Sequence, residues 1–267
     1  NPALLRDKYA EAEELILKAW TEKEIFSFDG KYNQLRYVNI WPRPMQDPRP
    51  PVWVPGAGSI ETWNHCIETG HLYAYLSYSG YKRGKQVMDG FWKVANAAGV
   101  DNPYHAGFLQ LVCIADNEEE LHEKYAAHTE YFFNKMLHVY PGFSDPPGYR
   151  TVDTIKAGLL AQTTTFGRAS DHEATFDELR ESGNVVAGTP EQVTEQLRSI
   201  AKDLRIGHLM LLNQFGSIPH ELAKENIRRT AQEVVPNLRD MWSEYEDHWW
   251  PQNAIVRDAT PAPTPAD

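Results

Sequence analysis

Apolar residues recur at helical spacing over the first twenty positions. Leu4, Leu5, Ala12, Leu15, Ile16 and Ala19 share one stripe, and Arg6, Asp7, Glu11, Glu13 and Glu14 fill the remaining positions. This pattern predicts a surface helix from Pro2 to Trp20 with a solvated acidic side. From Ile25 to Tyr37 the period shortens to an alternation that contains Asp29-Gly30. It predicts a hairpin of Phe26-Ser27-Phe28 and Tyr32-Asn33-Gln34-Leu35. Residues 38–51 carry Pro42, Pro44, Pro48, Pro50 and Pro51 and can be neither helix nor central strand, which leaves an extended lead-in.

Beyond the prolines the pattern changes to apolar run, loop and amphipathic helix, repeated. Val52-Trp53-Val54 precedes a helix that opens at Ser59 and runs to Gly70, and Leu72 to Ser77 precedes a helix from Lys82 to Ala98. Phe108 to Ala115 precedes a long helix capped by Asp116-Asn117-Glu118 and running to about Leu137, and His208 to Asn213 precedes a helix from Pro219 to Val235. Four continuous apolar runs, each followed by a helix, are the signature of parallel βα units, in an α/β barrel or an open doubly wound sheet. Residues 140–182 break the rhythm with Pro141-Gly142, Pro146-Pro147-Gly148 and Thr163-Thr164-Thr165. A stretch this long predicts an active-site lid with one helix at Val152 to Ala161; the alternative is a disordered excursion. Thr189, Pro190 and Gln192 spell a capped helix start for a helix through Asp203. Residues 1–250 read as one domain and the Pro- and Ala-rich 251–267 as a tail.

The chain has 267 residues, 42% of them hydrophobic, enough for a substantial core. A formal net charge of -11 opposes nucleic acid or an anionic membrane as a partner. Cys66 and Cys113 form no disulfide framework, and no leader or membrane-length apolar span is visible, so the expected location is the cytoplasm. The chain starts at Asn1 and enters a helix at once, which suggests a fragment.

The richest stretch chemically is Pro50 to Thr62, which reads as strand, tight glycine turn and helix start. Gly56 and Gly58 permit close backbone approach, the helix start offers free N–H groups and a positive dipole end, and Ser59 and Thr62 add hydroxyls. A phosphate suits such a turn; a capped βα turn without a ligand is the alternative. Glu61 lies in the same turn and would repel a phosphate if it pointed inward. No nucleophile triad and no metal-ligand spacing is visible, so no catalytic side chain and no metal is assigned. His65 and His71 flank the helix in expected packing roles, and His138, Tyr140 and Tyr149 lie near or in the lid as candidate substrate contacts.

Three ordered stretches resemble the bacterial luciferase-like, flavin-dependent monooxygenases. They are Trp41 to Val54 with Gly58-Ser59 and Glu61-Thr62; Val186-Ala187-Gly188-Thr189-Pro190-Glu191-Gln192-Val193; and Phe215-Gly216 with Pro219 and the helix closing on Glu233 to Leu238. The resemblance spans about Pro2 to Arg239. It implies a (β/α)8 TIM barrel of which this chain holds strands five to eight, with the first four strands, and a basic residue for the flavin phosphate, lying outside it. It implies Gly58, Ser59 and Thr62 as phosphate-binding residues and Tyr78 as an aromatic beside the flavin. Asn213, Gln214 and Phe215 fall at the rim of the last strand, as pocket or structural residues. The implied function is a monooxygenase that uses reduced FMN and O2 on a small organic substrate, supplied with flavin by a separate reductase, and homo-oligomeric. A deazaflavin-dependent hydride-transfer enzyme and a non-catalytic partner subunit are the alternatives.

Overall fold

The computed structural model describes residues 4–76, 80–137, 151–153, 155–156 and 173–249. Helix α1, Leu5–Thr21, leads into the antiparallel hairpin of β1, Phe26–Asp29, and β2, Gln34–Val38, in which Phe28 faces Leu35 and Asp29 faces Gln34. Glu11 on α1 fixes the hairpin turn: its carboxylate accepts the backbone N–H groups of Lys31, Tyr32 and Asn33 at 2.6 to 3.1 Å. Burial is the largest single influence on the Glu11 carboxyl and raises its pKa, but these hydrogen bonds together outweigh it and hold the carboxyl below its usual range. The proline-rich stretch 39–52 forms neither helix nor strand, as its composition predicts.

Five strands then form one parallel sheet: β3, Trp53–Gly56; β4, Leu72–Leu76; β5, Ala106–Ile114; β6, Val185–Gly188; and β7, His208–Leu212. Between them lie α2, Ile60–Thr69, and α3, Tyr81–Ala97. Helix α4 starts at Glu118–Leu121 and continues without a break to Met136, with two wide turns at His122–Ala126 and Phe132–Met136. Then come α5, Phe176–Glu181, α6, Pro190–Leu204, and α7, His220–Arg229, which extends as a wide turn to Val234. Two of these elements were not expected. Strand β6 has only three apolar residues before its glycine, too short a run to stand out. Helix α5 lies inside the stretch expected to be irregular, where Thr175 and Glu178 form a reciprocal capping box.

The sheet is built around β5. Residues 107–109 pair with both β4 and β7, which therefore lie on opposite edges of its first half, while β6 pairs with Leu111 to Ile114. Alternation along β5 sends Phe108, Val112 and Ile114 into one core with Tyr73, Phe91, Trp92 and Leu197, and Leu111 and Cys113 into a second with Tyr125, Phe176 and Phe215. Helix α3 approaches the first core closely because Gly90 has no side chain: a Cβ there would fall 2.6 Å from the Trp63 ring. Among the described residues β3 pairs only with β4 and β7 only with β5, so the sheet is open rather than closed into a barrel. No helix of the described residues is long and apolar enough to cross a membrane.

A buried amide ties the strand ends together. Asn226 on α7 is fully buried; its Oδ1 accepts the Ile114 N–H at 3.1 Å, and its Nδ2 donates to Val112 C=O at 2.7 Å and Asn213 C=O at 3.1 Å. The β5–β7 pairing stops at Leu111 and Leu212, and the amide satisfies backbone groups just beyond that point. Asn226→Ala leaves these groups unpaired in a dry core and is expected to cost about 3 kcal/mol or more in urea unfolding; a loss below about 1 kcal/mol would contradict this reading.

Candidate cofactor-phosphate site

Because β3, β4, β5 and β7 are parallel, the turns that follow them gather at one end of the sheet. The turn from β3 into α2 has the backbone that the sequence predicts. Gly58 takes φ +105°, a left-handed conformation disfavoured for residues with a Cβ, and a side chain there would also lie 3.1 Å from Val87 Cγ1. Ser59 follows in an extended conformation as the N-cap of α2, and its carbonyl accepts the N–H groups of Thr62 at 3.1 Å and Trp63 at 3.2 Å. Below the turn, the Tyr73 ring fills the space that Gly56 leaves open, and burial pushes its phenol pKa up so that it stays protonated.

The Ser59 hydroxyl does not cap the helix. It donates to Glu61 Oε2 at 2.6 Å and accepts from the Arg6 guanidinium at 2.7 Å, and that guanidinium lies 3.5 Å from the same Glu61 oxygen. The other Glu61 oxygen accepts from the Thr151 hydroxyl, which lies in the sequence between β5 and β6. The Ser59 and Thr151 hydroxyls and the Arg6 guanidinium thus converge on one carboxylate of the chain itself, beside the start of α2. This is an anion-binding constellation, half-exposed and engaged with a side-chain anion. A phosphate fits the donors and the glycine turn, provided that Glu61 releases Ser59 and swings away.

The structure brings Gly58, Ser59 and Thr62 together in this turn. Thr62 is half-buried, with its methyl toward Gly56, and no hydrogen bond among the described residues engages its hydroxyl. Tyr78, His138, Tyr140 and Tyr149 lie outside the described residues, as do the tail 251–267 and the end of the helix expected at Val152 to Ala161; at its start, Ile155 N–H donates to Thr151 C=O at 3.0 Å. Asn213 donates to Leu211 C=O at 3.3 Å and accepts from the Thr230 hydroxyl at 2.6 Å, so its side chain fastens α7 to β7. Phe215 is buried, its ring 5.6 Å from Phe132. Arg6 was not anticipated: it stands 53 residues from Ser59 on a mostly acidic helix, and no local pattern connects the two.

A family model described as luciferase-like monooxygenase matches residues 5–206. The chain belongs to the luciferase-like monooxygenase family. Among solved structures, a monooxygenase from Streptomyces bottropensis is 17% identical with a TM-score of 0.61, over 87% of this chain and 61% of that one. The oxygenating constituent of 3,6-diketocamphane monooxygenase from Pseudomonas putida, solved in complex with FMN, is 16% identical with a TM-score of 0.62, over 87% and 63%. A coenzyme F420-dependent tetrahydromethanopterin reductase from Methanopyrus kandleri is 18% identical with a TM-score of 0.54, over 85% and 62%. At such identities the likeness is one of fold, and the chain spans about three fifths of the length of these relatives. The fold is therefore part of a luciferase-like TIM barrel. No sequence match was found among curated proteins.

Two substitutions separate the backbone of this turn from its side chains. Gly58→Ala is expected to cost about 1 to 3 kcal/mol in unfolding free energy, through the positive φ and the approach to Val87. Ser59→Ala is expected to cost less than about 0.5 kcal/mol, against about 1 for an ordinary N-cap serine, because the hydroxyl bonds outward. Urea denaturation of both variants measures these costs.

Proposed function

We infer that the chain supplies the phosphate-binding part of an enzyme that uses reduced FMN and O2 to oxygenate a small organic substrate. The observation that carries this reading is the Gly58–Ser59 turn with Arg6 directed at the Ser59 hydroxyl. Family membership and the fold shared with an FMN-bound oxygenating enzyme support it. The flavin, when bound, provides the oxygen chemistry. The residues of this chain hold it: Ser59 and Thr62 offer hydroxyls, Arg6 a guanidinium, and the start of α2 the positive end of its dipole. Glu61 competes for the same donors, so it sets how readily the site accepts a phosphate.

The sequence carries one such turn and no second nucleotide-binding motif, so reduced flavin comes from a separate reductase in this reading. The chain acts as a cytoplasmic homo-oligomer. A second reading is favoured by the fold shared with a coenzyme F420-dependent reductase: the same turn holds a deazaflavin, and the reaction is hydride transfer without oxygen.

Titration under argon with reduced FMN and with a reduced deazaflavin separates these readings. The monooxygenase reading expects tighter binding of FMN; a preference for the deazaflavin supports hydride transfer, and binding of neither supports a non-catalytic partner subunit. Glu61→Gln removes the competing charge and is expected to tighten FMN binding several-fold, whereas Arg6→Ala weakens it by about tenfold. Unchanged affinity in both variants would place the phosphate elsewhere.

A further inference from the structure

Helix α1 meets α2 and the start of β4 through a cluster of metal-ligand type, remote in sequence and separate from the phosphate turn. Glu13 on α1 directs one carboxylate oxygen at His65 Nε2, 2.8 Å away, and the other at His71 Nε2, 3.0 Å away. Glu13, His65 and His71 place one ligand atom each within 4.8 Å of one another. His71 is fully buried, Glu13 is nearly so, and the His65 side chain retains 27% exposure, which leaves a path from solvent.

The geometry points to a zinc site in which Glu13, His65 and His71 bind one Zn²⁺ and clamp α1 to the sheet half of the molecule. Hydrogen bonding accounts for only part of the arrangement. His71 Nε2 is hydrogen-bonded to Glu13 Oε1 at 3.0 Å. His65 Nε2 is buried and lies 2.8 Å from Glu13 Oε2, yet it makes no hydrogen bond among the described residues. A ring nitrogen that close to a carboxylate oxygen but off its hydrogen-bond line suits a shared ion beside that line.

Two imidazole nitrogens and a carboxylate oxygen are a zinc donor set, and they leave a fourth position for water. In a tetrahedral site the ligand atoms stand about 3.3 Å apart; the two Glu13–histidine contacts, 2.8 and 3.0 Å to different carboxylate oxygens, fall a few tenths of an ångström short of that, and one ligand atom from each residue lies within 4.8 Å of the others. Outer support is in place as well. The Tyr9 hydroxyl donates to Glu13 Oε1 at 3.2 Å, and the Tyr9 ring meets the His65 ring edge-on at 5.7 Å. A second cluster of this kind among the described residues, Glu118, His122 and Asp177, is more open to solvent and already holds a cation, the Arg180 guanidinium.

The test is calorimetric titration of the EDTA-stripped full chain with Zn²⁺, joined to thermal melts in Zn²⁺ and in Mg²⁺. We expect one equivalent of Zn²⁺ to bind and the melting midpoint to rise with Zn²⁺ concentration, while Mg²⁺, which prefers oxygen ligands, changes neither. His65→Ala, at the partly exposed ligand, and Glu13→Gln are each expected to weaken binding by about tenfold or more, and His122→Gln to leave it unchanged. Circular dichroism of the metal-free variants separates loss of the ligand from loss of the fold. Failure to bind one equivalent, undiminished binding in folded His65→Ala and Glu13→Gln, or loss of binding in His122→Gln would overturn the proposal.

Discussion

Parallel pairing around β5 is the constraint on which the rest of the molecule depends. This strand is buried on both faces, carries β4 and β7 on opposite edges, and extends far enough to pair with β6 as well. A strand covered on both sides cannot alternate apolar and polar residues, and Ala106 to Ile114 accordingly runs almost unbroken through apolar types, with Gln110 the exception. Burial of that run fixes which helices lie on each side. Parallel connection brings the functional turns to one end, where the Asn226 amide satisfies backbone groups that the diverging strands leave open.

The turn after β3 inherits its position from this arrangement and its chemistry from a few residues. Gly58 gives the backbone its shape, and Ser59 presents a hydroxyl that the helix does not use. Arg6 and Glu61 then set the electrostatics in opposite senses. The guanidinium would welcome an anion, and the carboxylate already takes the Ser59 hydroxyl and stands 3.5 Å from the guanidinium. Such a site discriminates by exchange, because an incoming phosphate gains only what it offers beyond the internal carboxylate. Both residues are partly exposed, so their pairing contributes little to stability and can be broken at small cost.

Much of the fold was readable because its signals are local. The hairpin follows from alternation about Asp29-Gly30, the helix starts at Asn117 and Thr189 from capping chemistry, the helix start at Ser59 from the glycine turn before it, and four strands from unbroken apolar runs. The resemblance to the luciferase-like family added the barrel. What escaped was short or distant. Strand β6 is too brief to register as a run, and α5 is a single capped helix of six residues within a proline- and glycine-rich region. Arg6 at Ser59, and Glu13 between His65 and His71, depend on α1 folding back across more than fifty residues. No spacing rule predicts such a contact. The sequence places Asn213 and Phe215 at the strand end, and the fold then turns Asn213 to Thr230 and packs Phe215 on Phe132.

The central claim is that the β3–α2 turn recognises the phosphate of a flavin. Comparing the affinities of the chain for FMN and for riboflavin, which differ only in that phosphate, tests it most directly. The account predicts that riboflavin binds at least about tenfold more weakly, the loss expected for one or more charge-assisted hydrogen bonds, and that Ser59→Ala narrows the gap. Equal affinity for the two flavins, or a gap that Ser59→Ala leaves intact, would contradict it.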